Sequence, residues 1–403
     1  MATPPAAVAA TAIAAVALLL VLLGSAAVLM ISSSEAGEDE LFAAAGEDVF
    51  GSDGTVPAMY VFGDSLVDAG NNDFLSPPAP KAVPPNGVDF PNSVLWRTGR
   101  FTNGYNLADI IAQHLGFKMS PPAYLSLTPL SSFNLLRGRD GANYASGGSG
   151  ILDITGNGTI ALREQVQLFA ETKASVIRAG LVDQETLEDL LAQSLFLIST
   201  GGNDFDAFDN GVPMSQAPEF VAGMITDYLK YINELYKLGA RRLALLDIIP
   251  VGCLPSQLAV TGSDGDCDAG GNSLSLMFNS LLRTEMSKAV VASMPGLKYS
   301  IASLYNTYSD MIANPALAGL REVKRGCCGG GKFNGEVSCT MASSLCANRD
   351  DYLFWDLIHG TQAAYRWAVD AFFYGPTRDA EPINLAQLME EPLSMATAPY
   401  SSI

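Results

Sequence analysis

Four short apolar runs constrain this chain more than anything else in it. They cover residues 57–62, 195–199, 242–249 and 298–304. Each is too short and too uniformly apolar for a surface helix, and suits a strand buried on both faces. Helix-length amphipathic stretches lie between them, at 162–179, 187–193, 219–238 and 272–292, with a last one at 361–374. Gly239 stands where the third of these needs a C-cap. Strands alternating with such helices predict βαβ units: a mostly parallel sheet with helices on both faces, an α/β fold. Functional groups in such sheets gather beyond the carboxyl ends of the strands. Ser65 and Asn203 each fall just past one of those ends.

The chain can form a large core: 48% of its 403 residues are hydrophobic and 16% charged. Its length suits one α/β domain of about 300 residues with tails. The boundaries read as an export segment at 1–36, an acidic linker at 37–55, the folded domain at 56–380 and a C-terminal tail at 381–403. Residues 6–31 are almost unbroken apolar sequence, interrupted only by Thr11, Gly24 and Ser25. This is a signal peptide, with cleavage positions near 24–26 or 34–36, or an uncleaved membrane anchor. Only the anchor would put the chain on a membrane, and both routes deliver the domain to the secretory lumen or outside. The net charge of −19, with no Lys or Arg before Lys81, excludes a general attraction to nucleic-acid phosphates or anionic lipid.

Six cysteines, Cys253, Cys267, Cys327, Cys328, Cys339 and Cys346, support an oxidising compartment. No Cys-x-x-Cys pair occurs and neither histidine has ligand-like spacing, so a metal site is not expected. Adjacent Cys327 and Cys328 cannot easily join each other. Each is expected to reach one of Cys339 and Cys346, which leaves Cys253 for Cys267. The sequon Asn157-Gly158-Thr159 is an acceptor for a glycan.

Acyl transfer needs a nucleophile, a base and donors aimed at the developing oxyanion. The chain has two histidines, His114 and His359. His114 closes an amphipathic stretch ending at Gly116, where a histidine suits the helix dipole and needs no further role. His359 follows Asp356 by three residues, a spacing that brings carboxylate to imidazole and leaves Nε2 free as a base. Taken alone, Asp-x-x-His is equally a loop with a helix cap. Ser65, in Gly63-Asp64-Ser65-Leu66, sits on the tight turn after a buried strand, although an N-cap is the ordinary use of Ser or Asp there. The Gly-x-Ser-x-Gly elbow is absent, so a serine hydrolase here belongs to another architecture. Two glycine-rich segments, 143–150 and 201–204, can supply donors, and neither fits a phosphate-loop pattern.

Taken in order, these segments resemble the blocks of the plant-type GDSL esterase/lipase family. They are Phe62-Gly63-Asp64-Ser65-Leu66-Val67-Asp68-Ala69-Gly70-Asn71-Asn72, Arg100-Phe101-Thr102-Asn103-Gly104, Asn143-Tyr144-Ala145-Ser146-Gly147-Gly148, Gly202-Asn203-Asp204 and Phe354-Trp355-Asp356-Leu357-Ile358-His359. Cys327-Cys328-Gly329 also resembles it, and the likeness spans roughly 56–375. The resemblance implies an SGNH-type hydrolase with a flavodoxin-like, three-layer α/β/α sandwich. By position, Ser65 is implied as nucleophile, His359 as base and Asp356 as its partner. The Ser65 N–H, the Gly148 N–H and the Asn203 amide are implied as the oxyanion hole. No cofactor or metal is implied. Two positions depart from the family: Gly360 where Pro is frequent, expected to loosen the loop bearing His359, and Gln362 where an acid is frequent.

The expected activity is hydrolysis of a carboxylic ester of a small molecule, lipid or polysaccharide. The same residues would serve an acyltransferase, in which an alcohol replaces water. A catalytically silent secreted glycoprotein that binds such a ligand is the reading outside enzymology. The loops at 77–96 and 118–136, which would set the substrate, read only as irregular.

Overall fold

A computed structural model describes residues 56–91, 97–205, 208, 213–261 and 265–390. The export segment, the linker, part of the 77–96 loop and residues 391–403 of the tail lie outside the described residues. The elements used below are β1 (Ala58–Gly63), α1 (Leu107–His114), β2 (Asp140–Asn143), α2 (Leu162–Ala179), α3 (Gln184–Gln193), β3 (Leu195–Ser199), α4 (Ala217–Lys237), β4 (Arg242–Leu246), α5 (Pro255–Val260), α6 (Ala269–Ser293), β5 (Lys298–Ala302), α7 (Leu304–Ala313), β6 (Glu322–Gly326), β7 (Tyr352–Phe354), α8 (Gln362–Tyr374), β8 (Ala380–Glu381) and α9 (Leu385–Glu390).

Six strands form one sheet in the order β2-β1-β3-β4-β5-β8. All pairs are parallel except β5 with β8. The first five strands follow the flavodoxin-like order, which reverses direction between β1 and β3 and so opens a crevice at their carboxyl ends. Period-two alternation divides the core. Tyr60, Phe62, Phe196, Ile198, Leu243 and Leu245 face one helical layer, with Phe169 of α2, Tyr228 of α4 and Phe278 of α6. Met59, Val61, Leu195, Leu197, Ala244 and Leu246 face the other, with Ile111 of α1, Tyr308 of α7 and Phe372 of α8. The architecture is therefore the expected three-layer α/β/α sandwich. Each large side chain buried this way contributes about 1.5–3 kcal/mol of transfer free energy.

Several expectations need correction. The third and fourth strands stop at Leu246 and Ala302 rather than at 249 and 304. Beyond them the residues serve caps and a cleft: Ser303 accepts from the Asn306 N–H and starts α7. Strand β2 escapes a hydrophobicity reading because its residues are Asp-Gly-Ala-Asn. Its pairing with β1 needs Gly141, whose Cβ would lie 1.8 Å from the Met59 carbonyl oxygen. The tail drawn from 381 begins too early. Residues 381–390 complete β8 and form α9, and Leu385 and Leu388 are buried in the second layer. A six-residue helix carrying two core leucines is too short to register as periodic.

Gly63 ends β1 at φ +135°, and a Cβ there would sit 1.9 Å from the Ser199 carbonyl oxygen. No L side chain fits without separating β1 from β3. Gly63→Ala is expected to destabilise the domain by about 3 kcal/mol or more. A lowered urea midpoint at unchanged slope checks this, and an unchanged midpoint would remove the constraint.

Candidate active site

The turn after β1 is built by Asp64. Its backbone N–H donates to the Ser199 carbonyl oxygen at 3.0 Å, and its own carbonyl accepts from the N–H groups of Val67 and Asp68. Its Oδ1 accepts from the Leu66 N–H at 3.0 Å. Ser65 is thereby carried at the crest of a single turn, in place of a helix N-cap. Its N–H has no protein acceptor among the described residues.

His359 and Asp356 lie on the loop between β7 and α8. Asp356 Oδ1 accepts the backbone N–H groups of Ile358 at 2.9 Å and His359 at 2.8 Å, which folds the loop back on itself. That turn sets His359 Nδ1 2.9 Å from Asp356 Oδ2. With the ring proton on Nδ1 facing the carboxylate, Nε2 is left to accept from the Ser65 hydroxyl, 2.9 Å away. Both His359 and Asp356 are buried. The Phe101 ring stacks on the imidazole with centroids 5.6 Å apart. Burial pushes the Asp356 carboxyl up. The His359 charge, its hydrogen bond and the two backbone donors outweigh that and hold it below the ordinary range.

Gly360 is held on both sides. Its N–H donates to the Tyr365 hydroxyl at 3.0 Å and its carbonyl accepts from Thr102 Oγ1 at 2.7 Å. Proline could not make the first bond. The expected loosening at Gly360 is thus met by one added hydrogen bond, from its N–H to Tyr365. Gln362 plays a similar part: its N–H donates to Asn103 Oδ1 and its Oε1 accepts from the Tyr105 N–H. Gly104 leaves the space that the Gln362 amide fills.

The glycine-rich segment forms the turn Ser146–Ser149, closed by the Ser149 N–H on the Ser146 carbonyl at 3.0 Å. Gly148 holds the left-handed position, φ +82°. The Gly147 N–H is occupied by Asp68 Oδ2 at 2.9 Å. The Gly148 N–H has no protein acceptor among the described residues. Asn203 Nδ2 uses one hydrogen on the Ser149 carbonyl at 2.9 Å, leaving the other for a ligand. A cleft at the carboxyl ends of β1, β3 and β4 is lined by Ser65, Asn203 and His359 together with the apolar side chains of Phe205, Ile249, Val251 and Leu254. Gly148 stands outside that lining.

Four groups that the residue pattern did not single out support this arrangement. Asp68 holds the Gly147 N–H and, through Oδ1, the N–H groups of Gly70 and Asn71. Asp204 clamps the backbone of Ile151 and Leu152 and the Thr155 hydroxyl. Gln165 brackets Gly63, accepting its N–H at 2.7 Å and donating to its carbonyl at 2.9 Å. Phe101 backs the imidazole. Asp68, Asp204 and Phe101 each fall inside a block quoted for the family resemblance, which marks their place and not their role; Gln165 falls in none. His114 lies apart, bonded to the Ile110 carbonyl and Asp370 and stacked on Phe373. The cysteines pair as Cys253–Cys267, Cys327–Cys346 and Cys328–Cys339.

A serine, an imidazole and a carboxylate in hydrogen-bonded series, set at the switch point of a flavodoxin-like sheet, define a serine hydrolase outside the elbow-bearing α/β-hydrolase class. Residues 59–372 match the GDSL-like lipase/acylhydrolase family model, and the chain belongs to that family. The GDSL esterase/lipase LTL1 of Arabidopsis thaliana is 37% identical over 341 residues, covering 82% of this chain and 90% of that protein. A second Arabidopsis thaliana GDSL esterase/lipase is 36% identical, with 82% and 90% covered. A third is also 36% identical, with 83% and 89% covered. The family is one of carboxylic ester hydrolases, and its members take ester substrates.

Asp64 lines the cleft beside Ser65 and is buried. Burial raises its pKa to about 7, against the Leu66 N–H and the His359 charge, which pull it down. Unfolded, it would ionise near the ordinary carboxyl value of about 3.9. Its contribution to stability is therefore full below that value and is lost as pH rises through about 7. Asp64→Asn should gain Tm relative to wild type as pH is raised from acid to neutral. Parallel thermal melts at the two pH values check this, and a difference independent of pH would count against a buried, titrating Asp64.

Proposed function

We propose that Ser65 is the nucleophile of this serine ester hydrolase, with His359 as general base and Asp356 as the group that orients and stabilises the imidazolium. The observation that carries the reading is the unbroken series Asp356 Oδ2–His359 Nδ1, His359 Nε2–Ser65 Oγ, each 2.9 Å. As Ser65 Oγ attacks the ester carbonyl, His359 Nε2 takes its proton. The carbonyl oxygen becomes an oxyanion, received by the Ser65 N–H, the free hydrogen of Asn203 Nδ2 and the Gly148 N–H. Gly148 is assigned in preference to Gly147 because Asp68 already holds the Gly147 N–H. The tetrahedral intermediate collapses, the alcohol leaves with the proton from His359, and an acyl-enzyme remains on Ser65. Water, activated by the same imidazole, attacks it and releases the acid. Neither a metal nor a cofactor enters these steps.

The apolar residues lining the cleft suit an ester with an aliphatic or aromatic portion beside the scissile bond, as in a lipid or an acylated small molecule. The three disulfides, with no free cysteine among the described residues, support action in the secretory pathway or outside the cell. Asn157 is exposed between Gly156 and Gly158, both at positive φ, where a glycan can be attached without entering the fold.

With p-nitrophenyl acetate, Ser65→Ala should lose about 10⁴-fold or more in kcat with an unchanged circular-dichroism spectrum. Retained turnover would remove Ser65 as nucleophile. Asn203→Ala should lose about 10²–10³-fold in kcat, the cost of one oxyanion donor. A change confined to KM would instead make Asn203 a substrate contact. Val251→Trp should raise KM for a long-chain ester more than for the acetate. Equal effects on both would place the acyl or alkyl group elsewhere.

A further inference from the structure

We infer that the paired disulfides Cys327–Cys346 and Cys328–Cys339 are a positioning device for the Asp356–His359 pair, acting through Trp355; this rests on the catalytic roles proposed above.

Trp355 precedes Asp356 and has both backbone groups committed. Its carbonyl accepts the Cys328 N–H at 2.7 Å, and its N–H donates to the His359 carbonyl at 2.7 Å. One residue thus joins the disulfide segment to the base. The Cys327 N–H donates to the Phe354 carbonyl at 3.0 Å, extending the β6–β7 pairing up to the loop. Gly326 packs so closely that a Cβ would fall 2.6 Å from the Asp356 carbonyl oxygen. The Trp355 side chain is fully buried against Cys327 and Cys328, with Cys339 and Cys346 packed around them. Its indole N–H donates to Asn86 Oδ1 at 2.7 Å.

The segment that supplies these cysteines has almost no core of its own. Between Gly329 and Asp350 only Gly335 is buried, while Val337, Met341 and Leu345 are exposed. Hydrophobic burial therefore contributes little to holding the segment against Trp355; besides hydrogen bonds such as the Cys346 N–H to the Cys327 carbonyl and the Asn334 amide to the Gly326 carbonyl, the two cross-links fix it there. The rest of the domain stands on the six-stranded sheet and its two helical layers, which do not need this segment. Loss of these bridges would leave the domain folded and let the Trp355–His359 stretch drift. A displacement of about 1 Å in a catalytic group can cost about 100-fold in rate.

The test is Cys328→Ser with Cys339→Ser, assayed on p-nitrophenyl acetate. We expect kcat to fall about 10- to 100-fold with KM nearly unchanged and the far-ultraviolet spectrum retained. The readout that separates positioning from stability is non-additivity with Asp356→Ala. That substitution should cost at least about tenfold less in the disulfide variant than in wild type, because its target is already displaced. Equal costs in the two backgrounds, or activity lost only in step with the folded fraction, would overturn the inference. If the double variant does not fold, graded reduction of the wild-type protein replaces it, with thiol trapping to identify the opened bridge. Turnover lost at Cys339 and Cys346 before the far-ultraviolet signal supports the inference, and loss only with that signal overturns it. His359→Ala and Ser65→Ala serve as the check on the catalytic reading. If they keep turnover, that reading fails; if they lose it while the disulfide variant keeps full kcat, only the positioning inference fails.

Discussion

The contact between Gly63 and Ser199 is the constraint on which the rest depends. β1 and β3 are central neighbours, and at their carboxyl ends the backbones approach so closely that only a glycine fits. The Gly63 carbonyl then accepts from three directions: the Ser146 N–H, the Ser149 hydroxyl and the Gln165 amide. One peptide group therefore registers β1, β3, the glycine turn and α2 together. The serine turn begins at the next residue, so any slack in this packing would pass directly to Ser65. Sheet stability and site geometry are here the same set of hydrogen bonds.

Four of the buried aspartates around the site, Asp64, Asp68, Asp204 and Asp356, are divided by their environments. Burial raises the carboxyls of Asp64, Asp68 and Asp204, whose direct partners are chiefly backbone N–H groups and hydroxyls. Asp356 is the exception. It too is buried, but an imidazole that can become cationic lies against it, and its carboxyl is held below the ordinary range. The same residue type thus acts as a loop clamp in three places and as a stable anion in one. A permanent anion is what an imidazole gaining a proton requires.

The departures at Gly360 and Gln362 show how a substitution can be absorbed by its neighbours. Gly360 loses the rigidity of proline and gains an N–H that reaches the Tyr365 hydroxyl. Gln362, without an acid's charge, still ties the start of α8 to Asn103 and Tyr105. The consequence of a loop residue depends on side chains that are remote in sequence, so position in a motif alone did not reveal it.

Buried strands of five or six apolar residues and helices of regular period were legible because local hydrophobicity alone determines them. The α/β class, the candidate site residues Ser65, Asp356 and His359 and the cysteine set followed from short-range pattern and motif order. Strand β2, made of Asp-Gly-Ala-Asn, was not legible: its identity comes from the partner it pairs with. Helix α9 carries only two core leucines, and those count only once the second layer exists to receive them. The roles of Gln165, Phe101 and Trp355 were equally hidden, as was the choice between Cys339 and Cys346 for each adjacent cysteine. Those are contacts between segments up to hundreds of residues apart, such as Ser65 with His359 or Thr102 with Gly360. The linear order records which groups are available. Only the closed sheet, with its layers packed, determines which of them meet, because meeting depends on ångström distances set by the whole core.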